Sequence, residues 1–524
     1  MNDCFTKLLF LLVPLFCVNE VIGYKYLGIF PFQAKSHYFL GNELMKGLAR
    51  AGHEATILTS HEEKNPPNDN YKQIILEGFL DQQKVLLDKL KHLHTNSSIF
   101  TNPAKGFFTF METLDLITEM TLNHSTTQKM IKEKPKYDVV IITHFNFEAL
   151  KALAPHFGAH QVVFFNLGAS NWINHLVGTP SLPSIDPTLM LQYTGQMDFK
   201  QRLFNTIFCT IQYLYNNFVV YPRHKELVHK YISEDLDLDK ILYNVSLALY
   251  NSHVSLDRPT AEVPCTKNIG GFHIRPPKKL PEDLRKYLDD AKDGVIYFSM
   301  GSTVQSADFP PRTKEAILKA FSKRKEKVLW KFEEDLPGKP PNVKIDKWLP
   351  QMDILAHPNI KLFITQGGLL SLIETLYNGV PTISIPVLGD QLKNAKVAES
   401  NGYSKIIQLG TLTEEDFSAA IEEVISNDKY RKNAQAQSKL FFDRPVKPME
   451  EAVYWLEYVV RHNGAQHLRM KHLDLAWYQY YMLDIIGAII FIIFLIIFIF
   501  IKLLSCILGA CIKPKNKSKK VKKQ

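Results

Sequence analysis

An unbroken apolar run near the C-terminus constrains this chain more than any other feature. It extends from Ile485 to Ile501 and, after the single Lys502, continues from Leu503 to Ile512. About 20 apolar residues suffice to cross the hydrocarbon core of a bilayer. The alternative, a buried helix of a globular protein, would keep a polar face, and this run is apolar on every side. We therefore predict a transmembrane helix over residues 483–512.

The flanks of this run predict its orientation. Residues 513–524 hold seven lysines and no acid, and positive charge stays on the cytosolic side. Residues 24–480 would then face the lumen, as in a single-pass type I protein. Most of the +9 net charge lies in this tail, so the near-neutral body gives no support for nucleic-acid binding. Four aromatic residues precede the run where an interfacial belt is expected: Trp477, Tyr478, Tyr480 and Tyr481.

Two further segments predict the cellular location of the protein. Residues 1–23 have the pattern of a signal peptide, with Lys7 before a short apolar run and Gly23 near a cleavage point; a retained anchor is the alternative. Lys520 and Lys522 stand five and three residues from the end, which resembles a dilysine retrieval signal of endoplasmic reticulum membrane proteins. A generic basic stop-transfer flank is the alternative.

Modification and metal signals are sparse. Three Asn-x-Ser triplets are candidate glycan acceptors on a lumenal body, at Asn96, Asn123 and Asn244. Of the six cysteines, only Cys209 and Cys265 lie in the body, which leaves one disulfide open and gives no framework. No metal-type spacing of Cys and His appears, so we expect no metal site.

The body has the strand–helix alternation of two parallel, doubly wound sheets. An N-terminal domain over 24–263 begins with a strand at 26–30, a helix at 37–51 and a strand at 55–58. Within it, 62–135 is a polar and aromatic region with helical patches, and 172–235 is irregular and aromatic. Both are interpreted as insertions that shape an acceptor pocket. The proline-rich segment 264–286 is interpreted as a linker, 287–440 as a second domain, and 441–482 as C-terminal helices that return toward the first domain.

Three segments of the second domain follow predicted strands, where α/β folds bind ligands. Gly301 and Ser302 allow close approach to a phosphate, although such a pair is also a common turn. Trp348 and Gln351 suit stacking on a base and pairing with a uracil edge, although a tryptophan is often a core residue.

The third segment runs from Phe363 to Gln391. Gly367 and Gly368 open a helix at a strand end, so its amides and dipole would point at a diphosphate. Glu374 lies within two turns of that helix start and would accept from ribose hydroxyls. Asp390 and Gln391 begin the loop after the next strand and would bind sugar hydroxyls.

These segments together resemble the UDP-glycosyltransferase superfamily, in particular its animal, insect-like membrane members. The resemblance extends through Gly270–His273 and Asp443–Pro448 to the membrane anchor. It implies a two-domain GT-B fold in which the second domain binds a UDP-sugar without a metal and the first binds the acceptor. In family terms, Trp348 and Gln351 contact uracil and Glu374 the ribose. The implied diphosphate ligands are Ser302, Gln366, Gly368 and Ser371, and the sugar ligands are Asp390 and Gln391.

The resemblance also implies a catalytic base and one departure. His37, at the start of the first helix, matches the family base, although a histidine there is otherwise an ordinary helix cap. The family places an acid after the strand near 138–142, and here Thr143 and His144 stand instead. His144 or Glu148 would then assist His37, or the acceptor is itself acidic, or turnover is slow.

The expected function is therefore transfer of a hexose, with glucose favoured by Gln366, from a UDP-sugar to a small lipophilic acceptor with inversion. Two alternatives stay open. One is a glycosyltransferase-like protein that binds a nucleotide sugar or a lipophile without turnover. The other is a related two-domain sugar-nucleotide enzyme such as an epimerase, which the signal, anchor and tail disfavour. A homo-oligomer also stays open.

Overall fold

The structure is a computed structural model that describes residues 23–85, 103–189, 191, 193, 196–257, 259–302 and 304–511. Residues 1–22 of the predicted signal peptide, Asn96 and the basic tail lie outside these residues. The described chain divides into two units, one that ends at Arg469 and one that begins at Met470.

The first half of the chain forms a seven-stranded parallel sheet. Its spatial order is β3-β2-β1-β4-β5-β6-β7, so the chain winds outward in both directions from β1 and β4. The strands are β1 Lys25–Phe30, β2 Glu54–Thr59, β3 Tyr71–Ile75, β4 Val139–Thr143, β5 His160–Phe165, β6 Leu247–Tyr250 and β7 Thr266–Asn268.

The second half forms a six-stranded parallel sheet with the order β10-β9-β8-β11-β12-β13. Its strands are β8 Val295–Ser299, β9 Lys327–Lys331, β10 Val343–Asp346, β11 Ile360–Thr365, β12 Thr382–Ser384 and β13 Ser404–Ile406. Strands such as β4 and β8 are buried along their whole length, as expected of parallel sheets with both faces covered. The predicted doubly wound architecture is confirmed in both halves.

Helices connect and cover these strands. Those of the first half are α1 Lys35–Arg50, α2 Pro103–Asn123, α3 Ser125–Glu133, α4 Leu153–His156, α5 Asn171–Val177, α6 Phe199–Tyr215, α7 Tyr221–Tyr231 and α8 Leu238–Leu242. Those that follow are α9 Glu282–Asp289, α10 Pro311–Ser322, α11 Gln351–Leu355, α12 Leu369–Asn378, α13 Gln391–Ser400, α14 Glu414–Ser426, α15 Asp428–Phe442, α16 Pro448–Arg461, α17 Trp477–Tyr480 and α18 Leu483–Cys511.

Helix α1 forms because its apolar residues repeat at helical spacing. Leu40, Leu44 and Leu48 are buried on one face against the first sheet. Helix α16 adds Ala452 and Leu456 to the same apolar cluster, although it follows every strand of the second sheet. The last helix of the first unit therefore packs on the first sheet. Arg444, just before it, donates to the backbone oxygens of Asn268 and Gly270 at 2.9 and 2.6 Å.

Three predicted segments contain elements that the sequence did not reveal. The segment 62–135 contains β3, whose alternation is weak because its residues are only half-buried. The segment 172–235 is mainly helical over α6 and α7, and the usual amphipathic pattern is missing in α6 because apolar residues such as Phe199 and Ile207 are exposed there. The predicted linker 264–286 contains β7 at its start and the beginning of α9 at its end. Cys209 and Cys265 are both free thiols.

The second unit contains one long apolar helix, α18. Its residues 483–508 have a mean hydropathy of 3.2 in their best window and none of that window is buried. By length and composition it is the one helix of the described residues that is able to cross a membrane.

Candidate active site

Loops at the carboxyl ends of both sheets meet within the first unit. The Lys393 ammonium lies 2.9 Å from a carboxylate oxygen of Asp257. The Lys35 ammonium, at the start of α1, lies 5.5 Å from the ring centre of Trp348, after β10. Leu370, in the first turn of α12, packs against the apolar cluster of the first sheet. The predicted base and the predicted donor loops therefore border the same junction.

His37 lies in the first turn of α1 with one ring nitrogen unused. Its Nδ1 is 3.3 Å from the Ser36 hydroxyl. Its Nε2 is buried and has no hydrogen-bond partner among the residues that the structure describes, although His37 as a whole is partly exposed. Burial lowers the pKa of His37 from 6.5 to about 4, so the imidazole is neutral at neutral pH. A neutral ring with Nδ1–H donated to Ser36 would leave Nε2 as a proton acceptor.

Aromatic side chains surround this histidine. Phe32 and Phe145 contact the His37 ring edge-on, with centroids at 5.1 and 4.8 Å. Phe145 in turn contacts Phe110 and Trp172 at 6.3 and 6.4 Å. We call Phe32, Phe110, Phe145 and Trp172 the aromatic box. The apolar surroundings explain why burial dominates the pKa of His37, and their aromatic surface suits contact with a planar apolar molecule.

The residues near the position of the missing family acid have hydrogen-bond partners other than His37. Thr143 is buried and its hydroxyl lies 3.5 Å from Asn166. His144 uses Nε2 for the backbone oxygen of Trp172 at 2.9 Å, and burial lowers its pKa to about 3. Glu148 forms a buried ion pair with Lys151. Within the described residues, neither His144 nor Glu148 forms a hydrogen bond with His37. The idea that either one assists His37 directly has no contact to support it.

The glycine loops of the second sheet close around Gln366. Gly301 has φ +77°, and a Cβ there would lie 2.5 Å from the Gln366 amide nitrogen. A Cβ on Gly368 would lie 3.3 Å from the same nitrogen. Gly367 has φ +81°, and Gly368 precedes the first residue of α12. The Gln366 side-chain oxygen is buried without a partner. Glycine is therefore required at these positions, because a Cβ would collide with the Gln366 side chain. The polar Gln366 side chain lies just before the N-terminus of α12.

Gln351, Ser371 and Glu374 form one hydrogen-bonded group. The Gln351 amide donates to Ser371 at 3.1 Å and to Glu374 at 2.7 Å. Its carbonyl oxygen accepts from the hydroxyl of buried Tyr297 at 3.3 Å. Burial raises the pKa of Glu374 to about 7, against the opposing effects of Gln351 and the Arg275 charge. The structure thus brings together three of the predicted donor residues, from two different helices.

Two predicted donor residues stand out at the surface of the site. Trp348 has 65% of its surface exposed, so it is not the core residue of the alternative interpretation. Its indole lies between the two halves, beneath the Lys35 ammonium. Ser302 is also exposed, one residue beyond Gly301. Both are accessible to a ligand.

Asp390 and Gln391 have mainly local partners. Burial raises the pKa of Asp390, and Asn394 donates a hydrogen bond to its carboxylate. The Gln391 carbonyl oxygen accepts from the backbone N–H groups of Val387 and Leu388 at 2.9 and 3.0 Å. Gln391 therefore holds the loop after β12 in shape. Asp390 lines a small cavity between the halves with Gly168 and Lys393.

Arg275 is a site residue that the sequence did not reveal. Its guanidinium forms a two-pronged ion pair with Asp353 at 2.8 and 2.9 Å. Asp353 lies in α11, two residues after Gln351, so the pair fixes that helix to the segment between the sheets. The partners are 78 residues apart, and no local spacing signals such a pair.

The remaining site predictions concern the surface. Asn123 and Asn244 are both exposed, and Asn244 also accepts from Gln466 at 3.4 Å. In the described part of the chain, no group of three His, Cys, Asp or Glu side chains has the arrangement to hold a metal ion.

Comparison with known proteins agrees with this geometry. The profile of the UDP-glucoronosyl and UDP-glucosyl transferase family matches residues 28–519. The chain is 35% identical over 487 residues to UDP-glycosyltransferase UGT5 of Dactylopius coccus, which covers 92% of each chain. It is 29% identical over 535 residues to UDP-glucuronosyltransferase 2A3 of Homo sapiens, which covers 99% of each.

Solved structures show the same fold at low identity. A UDP-glucose: anthocyanidin 3-O-glucosyltransferase in complex with UDP has a TM-score of 0.54 and 17% identity, and covers 84% of this chain and 99% of that one. Spinosyn forosaminyltransferase SpnP has a TM-score of 0.56 and 16% identity, with coverage of 84% and 99%. The two parallel sheets therefore form a GT-B fold, as expected.

Proposed function

Because the chain belongs to the UDP-glucoronosyl and UDP-glucosyl transferase family, and is thus a hexosyltransferase that uses a UDP-sugar, we propose that it glucosylates a small lipophilic acceptor. The donor would be UDP-glucose, the accepting group a hydroxyl, and the product inverted at the anomeric carbon. The observation that carries this proposal is the buried, unpartnered Nε2 of His37 inside the aromatic box.

His37 would act as the general base. Its Nε2 takes the acceptor proton while the acceptor oxygen attacks the anomeric carbon and the bond from that carbon to UDP breaks. Ser36 accepts from Nδ1–H and thereby holds the tautomer with a free Nε2 lone pair. A low histidine pKa makes the base weak, because the protonated form that it must pass through is disfavoured by burial. Acidic acceptors such as phenols would therefore react fastest.

The donor loops would bind UDP and stabilise it as it leaves. Trp348 offers an exposed ring for the uracil, with Gln351 at its edge. Glu374 would accept from the ribose hydroxyls. The diphosphate would lie at the start of α12, where Gly367 and Gly368 allow close approach of the backbone and the helix dipole favours negative charge.

Five side chains would complete the donor site. The NH₂ group of Gln366 would donate to a phosphate oxygen, or its unpartnered oxygen would accept from a sugar hydroxyl, and the resemblance favours glucose for a glutamine here. The others are Ser302 and Ser371 on the diphosphate and Asp390 on the sugar. Gln391 would donate its side-chain NH₂ group to the sugar, since its side-chain oxygen already accepts a hydrogen bond within the loop.

We propose further that α18 anchors the protein in the endoplasmic reticulum membrane. The body would be lumenal and glycosylated at exposed Asn123 or Asn244, and the basic tail cytosolic. Support comes from the length and hydropathy of α18 and from the lysines that follow it. An acceptor that partitions into lipid would reach such an enzyme at high local concentration.

Product formation tests the proposal. Membranes that contain the full chain would receive UDP-glucose, UDP-galactose or UDP-glucuronate with a panel of phenols and aliphatic alcohols. We expect a β-linked glucoside whose formation His37→Ala lowers, most strongly with the aliphatic alcohols, and His229→Ala, on an exposed helix face, does not lower. Transfer of another sugar would contradict UDP-glucose as the donor. Activity of His37→Ala equal to that of the unsubstituted chain would contradict His37 as the base.

A further inference from the structure

An ion pair joins the two halves of the first unit close to Asp390, a proposed sugar ligand. The Lys393 ammonium, in the first turn of α13, lies 2.9 Å from a carboxylate oxygen of Asp257, in the loop after β6. The two side chains are only 14% and 15% exposed. Because water screens such a pair poorly, its charges act on any ionic group that is placed beside them.

The backbone of the first half makes room for this carboxylate. Gly168 lies in the loop after β5, and a Cβ there would lie 2.6 Å from Oδ2 of Asp257 and 2.9 Å from the Ser252 hydroxyl. A side chain at residue 168 would therefore displace Asp257 from its lysine. Aspartate is also short, so the position of its carboxylate follows closely from the backbone. The pair is thus built into the loops and does not depend on two long, flexible side chains.

The same ion pair lines a small cavity together with Asp390. The walls of this cavity come from the loops after β5 and β6 and from the starts of α12 and α13. Among the lining residues that the structure describes, Asp257, Asp390 and Lys393 are the charged ones. Burial raises the pKa of Asp390, and the charge of Lys393 opposes this rise. Two acidic side chains therefore face one ammonium at this cavity.

This set of charges distinguishes neutral sugars from anionic ones. A hexose presents only hydroxyl groups, which form hydrogen bonds with carboxylates and carry no charge. A hexuronic acid presents a carboxylate that is ionised at neutral pH. An ammonium that is already paired offers little net attraction to a second carboxylate, and the acidic side chains beside it repel that carboxylate.

We propose that Asp257 is a specificity-determining residue, which disfavours UDP-sugars that carry a carboxylate because it neutralises Lys393 at the sugar end of the donor site. The inference rests on the proposed function, since it takes the sugar to lie beside Asp390. It assigns the preference for a neutral hexose to the first half, whereas the other proposed sugar ligands, Gln366 and Gln391, lie in the second. In Asp257→Asn the ammonium pairs with the carboxylate of the sugar instead.

Binding of UDP-glucose and UDP-glucuronate tests the inference without any acceptor. Calorimetry on the full chain in nanodiscs gives both Kd values for the unsubstituted chain, Asp257→Asn, Lys393→Gln and the double variant. Asp283→Asn is the matched control, because Asp283 also lies 2.9 Å from a lysine, Lys344, but is 73% exposed and does not line the cavity. The Kd of UDP alone shows that each variant keeps its nucleotide site.

The measured quantity is the Kd for UDP-glucuronate divided by the Kd for UDP-glucose. Asp257→Asn should lower this ratio about tenfold, because it removes a repelling carboxylate and leaves the ammonium for the sugar. Lys393→Gln should raise the ratio about threefold, and the double variant should return it close to that of the unsubstituted chain, since no ammonium remains. Asp283→Asn should not change it.

An unchanged ratio in Asp257→Asn would overturn the proposal, and so would a decrease that persists in the double variant. Lys393→Gln decides the matter even where Asp257→Asn loses its affinity for UDP, because an unchanged ratio in that variant contradicts the proposal equally. The proposed function fails separately. Tighter binding of UDP-glucuronate than of UDP-glucose by the unsubstituted chain would contradict the proposed donor, while the shift between variants would still decide the role of Asp257.

Discussion

The donor loops of the second sheet and the helix start at His37 differ in how their polar groups are satisfied. Gln351, Ser371 and Glu374 hold one another in place, and Arg275 with Asp353 fixes the helix that carries Gln351. The His37 ring has one weak hydrogen-bond contact, with Ser36, and edge-on contacts with the rings of Phe32 and Phe145. The donor side is a cross-linked polar surface, whereas the proposed base has mainly aromatic contacts.

This difference suggests how each half of the molecule would gain specificity for its own substrate. A nucleotide carries many fixed donors and acceptors, and preformed polar partners recognise it at little cost of reorganisation. A lipophilic acceptor carries few, so shape and apolar contact must suffice. The same apolar surroundings would weaken His37 as the proposed base, so the rate would depend more strongly on the acidity of the acceptor.

The largest expected effect removes the base. His37→Ala should lower kcat/KM for an aliphatic alcohol by about 10²–10⁴-fold, the usual contribution of a general base. The loss with a nitrophenol should be about tenfold or less, because such an acceptor ionises with little help. Initial rates with both acceptors measure it. Equal losses on both would contradict the idea that acceptor acidity compensates for the weak base.

The next largest effect is expected from a substitution that weakens UDP-sugar binding. Gly301→Ala should raise KM for the UDP-sugar by about 30-fold, or ~2 kcal/mol, because its Cβ would meet the Gln366 amide. Gly338→Ala is the matched control, since Gly338 has the same φ of +77° and open space around it. Both variants carry the backbone strain, and only the first should change KM. Equal KM values would show that Gln366 does not contact the donor.

A third change would make the two regions more alike. Thr143→Asp puts a carboxylate at the position where the resemblance expects the family's acid. It should increase turnover of an aliphatic alcohol by about tenfold, because a carboxylate that reaches the base stabilises its protonated form. Thr143→Asn has the same shape without the charge and should give no gain. Rates measured from pH 5.5 to 8 would separate the two. A gain with asparagine would mean that packing, not charge, limits the base.

The smallest expected effect is a difference in pH dependence between KM, which depends on Glu374, and kcat, which depends on His37. The pKa of Glu374 is raised to about 7, so its carboxylate is progressively protonated below neutrality. KM for the UDP-sugar should rise about fivefold from pH 8 to 5.5 through loss of a charged hydrogen bond. His37, with a pKa of about 4, stays neutral over this range, so kcat should not fall. Glu374→Gln should flatten the KM profile, and a slope that persists in this variant would contradict the assignment.

Much of the fold was predictable because both sheets are buried on two faces. Strands such as β4 and β8 are continuous apolar runs, and α1 repeats its leucines at helical spacing. Prediction failed where packing does not impose a pattern. Half-buried β3 and short β7 lie at the edges of the sheet, and α6 reverses the expected amphipathic arrangement.

The sequence by itself determined the apolar helix α18, the two doubly wound sheets and the glycine positions of the donor loops. These follow from local properties: hydropathy, alternation and the backbone freedom of glycine. Only the tertiary structure decided that His37 has no acidic partner, that Arg275 binds Asp353, and that the apolar side of α6 faces outward. Each of these depends on groups far apart in the chain, whose meeting is set by packing and not by spacing.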